Sequence, residues 1–376
     1  MRQWFIWLMT AATILFIPLS VSAQRDNENE MNMSNELEIT VGTYNIQAGM
    51  NNDGKYDLDS TAETIRKSGA DIIGLNEVDV HWGSRSEFDN VVKILANKLG
   101  MEYFFAPIYN LDPSNPEDPN RQYGVAILSK YPIVHAENHY MTRLSTQDPD
   151  PSPQLMPGFL QAQIHINGAD VWFYVTHLDY RKDPYIREMQ VEEMLGIISE
   201  HDHNILVGDM NAEPDAPELA PLFQTFQDAW ASIHDSPGYT FPADDPVKRI
   251  DNVLLSPDIE IQSSQVIESL ASDHFPVVAN LILTPEEHPF NASGMKKLVD
   301  YLLDNGEFTN NESALALKIH LTSVSYYEQK AQANKVVKHM IGFKRLLEHQ
   351  QAEKVISDDA YEILKTDADY LLNKWQ

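Results

Sequence analysis

The 376-residue sequence predicts an α/β domain with many strands over residues 37–284, followed by a small all-α helical bundle over residues 285–376. Three observations carry this expectation. Up to Thr284, short apolar runs rich in β-formers alternate with segments of helical periodicity and with polar turns. After Thr284-Pro285 the strand signals stop and only helical stripes remain. The length exceeds one average domain, and 43% hydrophobic with 22% charged residues supplies a sizeable core while excluding disorder, a collagen-like repeat and a coiled coil.

In chain order, Arg2 precedes an apolar run from Trp4 to Ile17, a break at Pro18 and the small residues of Val21-Ser22-Ala23, the pattern of a secretory signal over residues 1–23. The run is shorter than the ~20 residues that a spanning helix needs, so no stable membrane span is expected after cleavage. Polar residues 24–36 read as a flexible lead-in. Strands are expected at Ile39–Gln47, Asp71–Asp79, Tyr123–Lys130, Phe159–Ile166, Val171–Asp179, Asn204–Pro214, Arg249–Ser256 and Phe275–Leu283. Helices are expected at Ser60–Ser68, Glu87–Leu99 and Pro184–Ser199. Two Pro/Asp/Asn-rich stretches, Tyr109–Gln122 and Thr146–Gly158, read as long loops. In the C-terminal part, Met295/Leu298/Val299/Leu302/Leu303, Leu317/Leu321/Val324 and Val336/Met340/Phe343/Leu347 form three stripes, and Ser357 is placed to cap a fourth helix carrying Tyr361, Leu364, Ala368, Leu371 and Trp375. Four short amphipathic helices imply an antiparallel bundle.

The formal net charge of -29 is unevenly spread: residues 37–284 hold 14 basic and 38 acidic side chains, residues 285–376 hold 11 and 14. Such a domain repels polyanions at long range unless cations bridge the approach. Without cysteine there is no disulfide framework, thiolate zinc site, thiol nucleophile or lipidated N-terminal cysteine. Export of a cysteine-free chain fits a bacterium that lacks an oxidising periplasm.

Acidic and amide residues recur where the apolar runs stop, the places from which side chains project off a rigid sheet into a cleft. Asn45, Glu77, Asp209, Asn211, Asp251 and Asp273 supply hard oxygen atoms, and His177 and His274 exchange protons near neutral pH. Each alone has a plainer reading, as a turn cap, a surface ion pair or a core histidine. No G-x-S-x-G elbow accompanies Asp251 and His274, so acyl transfer is not expected.

Taken together, TYNIQ, NEVD, YGVAILSKYPI, THLD, GDMNAEP, RIDNVLL and SDHFPVV, in that order over residues 37–284, resemble the endonuclease/exonuclease/phosphatase superfamily, which includes pancreatic-type deoxyribonucleases, apurinic endonucleases, neutral sphingomyelinases and inositol polyphosphate 5-phosphatases. The resemblance implies a four-layer α/β/β/α sandwich with the site at one sheet edge. It implies metal-site roles for Glu77, Asn45 and Asp273, with Glu77 the main carboxylate. Asp209 matches the position that orients or deprotonates the attacking water, Asn211 the amide on the scissile phosphate, and His274, oriented by Asp251, the phosphate-contacting histidine. His177 matches a second active-site histidine and Tyr123 a phosphate contact. Gln47 stands where some relatives carry an acidic residue. Arg85, in the loop after NEVD, is the candidate substrate contact; Arg187 reads at least equally as a tie between helix and sheet. MKKLVDYLLDNGEF, VVKHMIGFKRLLEHQQ and ISDDAYEILKTDADYLLNKW resemble the FIMAH domain appended to secreted enzymes of Gram-positive bacteria.

The function expected from this is a secreted, extracellular phosphoesterase that uses Mg2+ or Mn2+ to hydrolyse a phosphodiester, as a nuclease or a phospholipid-type phosphodiesterase. The alternatives are a phosphomonoesterase of the same superfamily and a non-catalytic adhesion protein on this fold. The bundle is expected either to attach the enzyme to a cell surface or substrate or to act as a passive stabiliser.

Overall fold

In a computed structural model of the chain, residues 37–113, 115–166, 169–283 and 291–376 are described; the expected signal (1–23), the expected lead-in (24–36) and the Thr284-Pro285 boundary lie outside them. The first part runs β1 (Leu37–Asn45), α1 (Leu58–Ser68), β2 (Ile72–Val80), α2 (Val91–Leu99), β3 (Glu102–Leu111), β4 (Arg121–Ser129), β5 (Ile133–Arg143), β6 (Gln154–Ile166), β7 (Ala169–His177), α3 (Tyr185–Ile198), β8 (Asn204–Asp209), α4 (Ala220–Thr225), β9 (Gln227–Asp228), β10 (Asp251–Leu255), β11 (Glu260–Val266) and β12 (Val277–Leu283). Asp57 and Asn90 cap the first two helices by accepting from Ser60 and Lys93 backbone N–H, and Gly69 and Gly100 end them in left-handed geometry.

The strands form two six-stranded sheets, ordered β11-β12-β1-β2-β4-β3 and β5-β6-β7-β8-β10-β9. The two orders repeat one pattern. Each sheet has a central parallel pair, β1 with β2 and β7 with β8, flanked by antiparallel neighbours. Between the sheets lies a core to which Val41, Ile72, Val125 and Ile127 contribute from one side and Leu160, Phe173, Val175 and Val207 from the other. A second cluster seals α1 and α2 to the outer face of the first sheet through Ile65, Leu95, Ile73 and Leu75. A third seals α3 and α4 to the second sheet through Val191, Met194, Leu222, Tyr174 and Leu206. The result is the expected four-layer sandwich.

The interior strands match the expected runs, but β3, β5, β9 and β11 appear where none was expected. These are the four edge strands, and the two long ones are largely half-exposed: β5 reads Ile133–Arg143 with His135, Glu137 and Asn138, so its period-two signal is diluted. The two expected loops are shorter than the sequence implied, because β3, β4 and β6 run into them. Pro107 and Pro157 stand at register shifts, where the ladder tolerates a missing N–H.

The C-terminal part is α5 (Ala292–Asp304), α6 (Asn311–Glu328), α7 (Ala333–Ala352) and α8 (Asp358–Trp375). The last three, at 18 to 20 residues, are not the short helices expected. Their stripes meet in a separate core of Met295, Leu317, Met340, Phe343, Leu364 and Leu371, and Ser357 caps α8 by accepting from Ala360 N–H. Sequential helices pack pairwise and α8 closes against α5. Where the bundle meets the sandwich, His165 of β6 lies between Asp170 of β7 and Asp367 of α8, with both bonds 2.8 Å long. The Tyr301 hydroxyl also donates to Glu102.

Candidate active site

The parallel pairs stop side by side, which places their terminal residues at one rim of both sheets. Asn45 ends β1, His177 ends β7 and Asp209 ends β8, with His177 in register beside Asp209 and Asp251 opposite it. Asn76 joins the sheets there, donating to the Thr176 carbonyl at 2.6 Å and accepting from the Asp209 N–H at 3.2 Å. Close approach also fixes Gly208: a Cβ there would lie 2.0 Å from the Thr176 carbonyl oxygen.

Local backbone geometry aims the remaining groups. The β2–β4 register shifts between Leu75 and Val78, and Glu77, inside that bulge, takes a φ of 58°. Asn211 lies two residues after Asp209, so its backbone N–H donates back to Asp209 Oδ1 at 2.8 Å, and its own φ of 50° turns the chain and side chain that follow. Strain of this kind in non-glycine residues costs on the order of 1–3 kcal/mol each and is concentrated at functional sites. Ahead of β12, the Ser272 hydroxyl donates to the Asn45 carbonyl at 2.7 Å and accepts from the His274 N–H at 3.3 Å, tying Asp273 and His274 to the end of β1.

These contacts create a connected polar array. Asn45 Nδ2 donates to Glu77 Oε1 at 3.2 Å and to Asp209 Oδ2 at 3.1 Å. His177 Nε2 and His274 Nε2 stand 3.6 and 3.8 Å from Asp209 Oδ2. Asp251 Oδ2 accepts from His274 Nδ1 at 2.9 Å and from the Thr240 hydroxyl at 2.7 Å, while its other oxygen is buried without a partner. Burial alone would push the His274 imidazole down, but Asp251, Asp209 and Asp273 lift it to about 10, so the ring is cationic. Asp209 is pushed up by burial and then by the charge of Asp251, against the pull of the two histidines. Asp273 is pushed up by burial and by Glu77.

The array opens into a cleft of about 710 Å³ that Glu77, Tyr123, Arg85, His177, Asp209, Asn211, Asp273 and His274 line; Asn45 and Asp251 lie buried beneath it. Every candidate named from the sequence is therefore in or under one cleft. Some partners differ from the simplest expectation. Asn211 Nδ2 donates to the Leu178 carbonyl at 3.0 Å, which leaves one amide hydrogen for a ligand. Arg85 makes a bidentate pair with buried Asp79 at 2.9 and 2.7 Å and lies over the Tyr123 ring, so its charge is already balanced. Arg187 is buried against Glu218 and the Asp179 and Arg181 carbonyls, a structural role as expected, though it ties α3 to the segment after β7 and to the turn at Glu218 and not to a strand.

Sequence reasoning missed several lining residues. Trp82 and Tyr109 join the expected Tyr123 in an aromatic wall with ring centroids 5.7 to 6.2 Å apart. Phe241 packs tilted against His274 with ring centroids 4.6 Å apart, and Lys248 also lines the cleft. Arg143, at the end of edge strand β5, donates to the His177 and Gly158 carbonyls at 3.0 Å, and its Nε is buried without a partner. Burial pushes it down to about 10, which still leaves it cationic. No motif marked these positions; a period-two pattern on an edge strand was the one signal that could have found Arg143.

The arrangement also bears on a divalent cation. Glu77 and Asp273 face the cleft with no lysine or arginine within ion-pair distance among the described residues; burial raises Asp273, and the His274 charge opposes that more than the Glu77 charge adds to it, so two hard oxygen donors stand there with only a histidine as a charged neighbour of Asp273. Asp209, Asp251 and His274 also bring one ligand atom each to within 4.8 Å of one another. In that second group the His274 Nδ1 and Asp251 Oδ2 atoms already satisfy each other, which suits proton handling.

Comparison with known proteins agrees with this architecture. Residues 42–274 match the model of the Endonuclease/Exonuclease/phosphatase family, and residues 292–373 match that of the FIMAH domain. Among solved structures, an endonuclease/exonuclease/phosphatase from Beutenbergia cavernae is similar with a TM-score of 0.56 at 21% identity, over 65% of this chain and 72% of that one. A family protein from Bacteroides thetaiotaomicron is similar with a TM-score of 0.52 at 17% identity, over 68% and 98%. At these identities the likeness concerns the fold. Protein cwh43 of Schizosaccharomyces pombe is 26% identical over 166 residues, 44% of this chain and 15% of that protein, so the match spans a small part of its length.

Proposed function

The chain belongs to the endonuclease/exonuclease/phosphatase family, a family of phosphoester hydrolases, and on that premise we propose that it is an exported enzyme that hydrolyses a phosphodiester with Mg2+ or Mn2+. The observation that carries the reading is the joining, at one rim, of a buried carboxylate, a cationic histidine and a separate pair of unpaired carboxylates. Glu77 and Asp273 would hold the cation, which when bound supplies Lewis-acid neutralisation of a nonbridging phosphate oxygen; Asn45, whose Nδ2 donates to Glu77 and Asp209 and whose Oδ1 accepts from the Gln47 N–H, orients those carboxylates instead of acting as the ligand the sequence suggested. Asp209, fixed by Asn45 and the Asn211 N–H and raised by burial, orients water and accepts its proton. His274, held cationic by Asp251, donates from Nε2 to the phosphoryl group, and the remaining Asn211 amide hydrogen and the Tyr123 hydroxyl donate beside it. Burial and the Glu77 charge keep that hydroxyl protonated.

A diester has two arms, and the cleft has lining on two sides of this array: the Trp82, Tyr109 and Tyr123 wall, and Phe241 with Lys248. Export rests on the apolar run before Pro18 and the small residues up to Ala23. The test pairs a substrate panel of DNA, RNA, sphingomyelin, inositol phosphates and sugar phosphates with a Glu77→Gln variant. The reading expects turnover of a diester and weakened Mn2+ binding by calorimetry in the variant. Turnover of monoesters alone would replace the diesterase by a phosphatase, and unchanged Mn2+ binding would remove Glu77 as the main ligand.

A further inference from the structure

The helical bundle carries a second feature, independent of the cleft and of the reaction. Residues 311–352, which span α6, its turn and α7, hold six lysines and arginines and three acidic residues, Glu312, Glu328 and Glu348, in a chain whose net charge is -29. Glu328 is occupied in accepting from the Ala292 N–H at the start of α5. Lys318 and Lys344 are paired with Asp300 and Asp369 on neighbouring helices. Lys335, Lys338 and Arg345 are exposed and have no carboxylate within 4.0 Å among the described residues.

This pair of helices faces away from the sandwich. The contacts that join the bundle to the sheets come from α5 and α8, through Tyr301 to Glu102 and Asp367 to His165. Along the outer face of α6, Leu315, Ile319 and Tyr326 recur at helical spacing and are 55%, 60% and 50% exposed. On α7, Lys338, Ile341 and Arg345 recur in the same way. A shallow groove lies along the α7 row beside His320 of α6, where Gly342 makes room for the His320 ring; a Cβ there would come within 3.1 Å of it. His339, in the same groove, is pushed below its ordinary value by partial burial and then by His320, Lys338 and Lys335, a mark of positive potential with nothing to balance it.

We propose that the α6–α7 face docks on an anionic phospholipid surface, with Lys335, Lys338 and Arg345 at the headgroups and Leu315 and Ile319 in the interfacial region. Cations alone suit any polyanion; large apolar side chains exposed alongside them suit a surface that is charged outside and apolar within. Three unpaired basic residues contribute about fivefold each near such a surface.

The test is flotation of the full chain with vesicles of phosphatidylcholine, alone or with a third of phosphatidylglycerol. Binding is expected only to the mixed vesicles, weakened by salt. Lys338→Glu with Arg345→Glu should lose at least about tenfold in affinity, and Leu315→Ser with Ile319→Ser should lose affinity at unchanged charge, each variant keeping the wild-type circular dichroism spectrum. Absence of binding to the mixed vesicles at low salt would overturn the proposal. So would binding that the serine pair leaves intact, since that result, with equal binding to soluble polyphosphate, would identify a polyanion site instead.

Discussion

At the scale of single residues the account rests on Asp251 acting through His274. Nδ1 of the imidazole donates to Asp251 Oδ2 at 2.9 Å, and the carboxylate is wholly buried, so the ring is both oriented and held cationic. His274→Ala removes a charge-assisted donor and should cost ~3 kcal/mol or more, about a hundredfold in turnover. Asp251→Asn should cost less, because the ring stays against Phe241. The double variant should be hardly worse than His274→Ala, since the two act as a unit. Turnover of the three folded variants decides this: fully multiplicative losses would show that they do not work as a pair. Nine of the ten named candidates were legible because each stands in a dense local motif, GDMNAEP or SDHFPVV for instance, while Arg85 was named only from its place in the loop after NEVD. The Asn45 bridge between Glu77 and Asp209 was not legible, since those residues are 32 and 164 positions away from it and only the two sheets bring them together.

At the scale of elements, the eight interior strands were readable from continuous apolar runs and the four edge strands were not. An edge strand buries less and alternates its polar residues irregularly, so sequence pattern underestimates it. The junction of β6 with α8 follows the same logic: stripes foretold the helix, but nothing foretold that His165 and Asp367, 202 residues apart, would meet. That junction makes a pH prediction. Burial opposes the charge on His165, yet Asp367 and Asp170 lift its value from 6.5 to about 10. A raised folded value stabilises fully below the unfolded value and is lost as pH rises through the folded one. The stabilisation from this histidine should therefore decline between about pH 6.5 and 10, and His165→Gln should flatten that part of the wild-type melting profile. At neutral pH, His165→Ala should destabilise by roughly 3–5 kcal/mol, because it strands a buried carboxylate. Equal slopes of melting temperature against pH in wild type and His165→Gln would contradict the assignment.

At the scale of the whole molecule, the three apolar clusters of the sandwich draw on residues up to Leu283, and the bundle cluster draws on residues from Ala292 onward, with Val134 of β5 packed against it. Truncation after Thr284 should therefore leave a folded, active sandwich of lower melting temperature, with His165 retaining Asp170 alone. A truncated chain that circular dichroism shows to be unfolded would mean that the two parts share a core. The fold class and both segments were legible as a whole because the change from period-two to helical patterning is global. The charge asymmetry of the bundle was hidden by averaging over residues 285–376. On the proposed function, the Asp209 carboxylate at the end of β8 drives a cation-dependent phosphodiester hydrolysis. This is tested by turnover of a chromogenic phosphodiester by wild type and Asp209→Asn, each in Mg2+ and again in excess chelator. Wild type should turn over in Mg2+ only, with a loss of at least about a hundredfold in Asp209→Asn; undiminished turnover in chelator, or in Asp209→Asn, would show that the cation, or this carboxylate, does not drive the reaction.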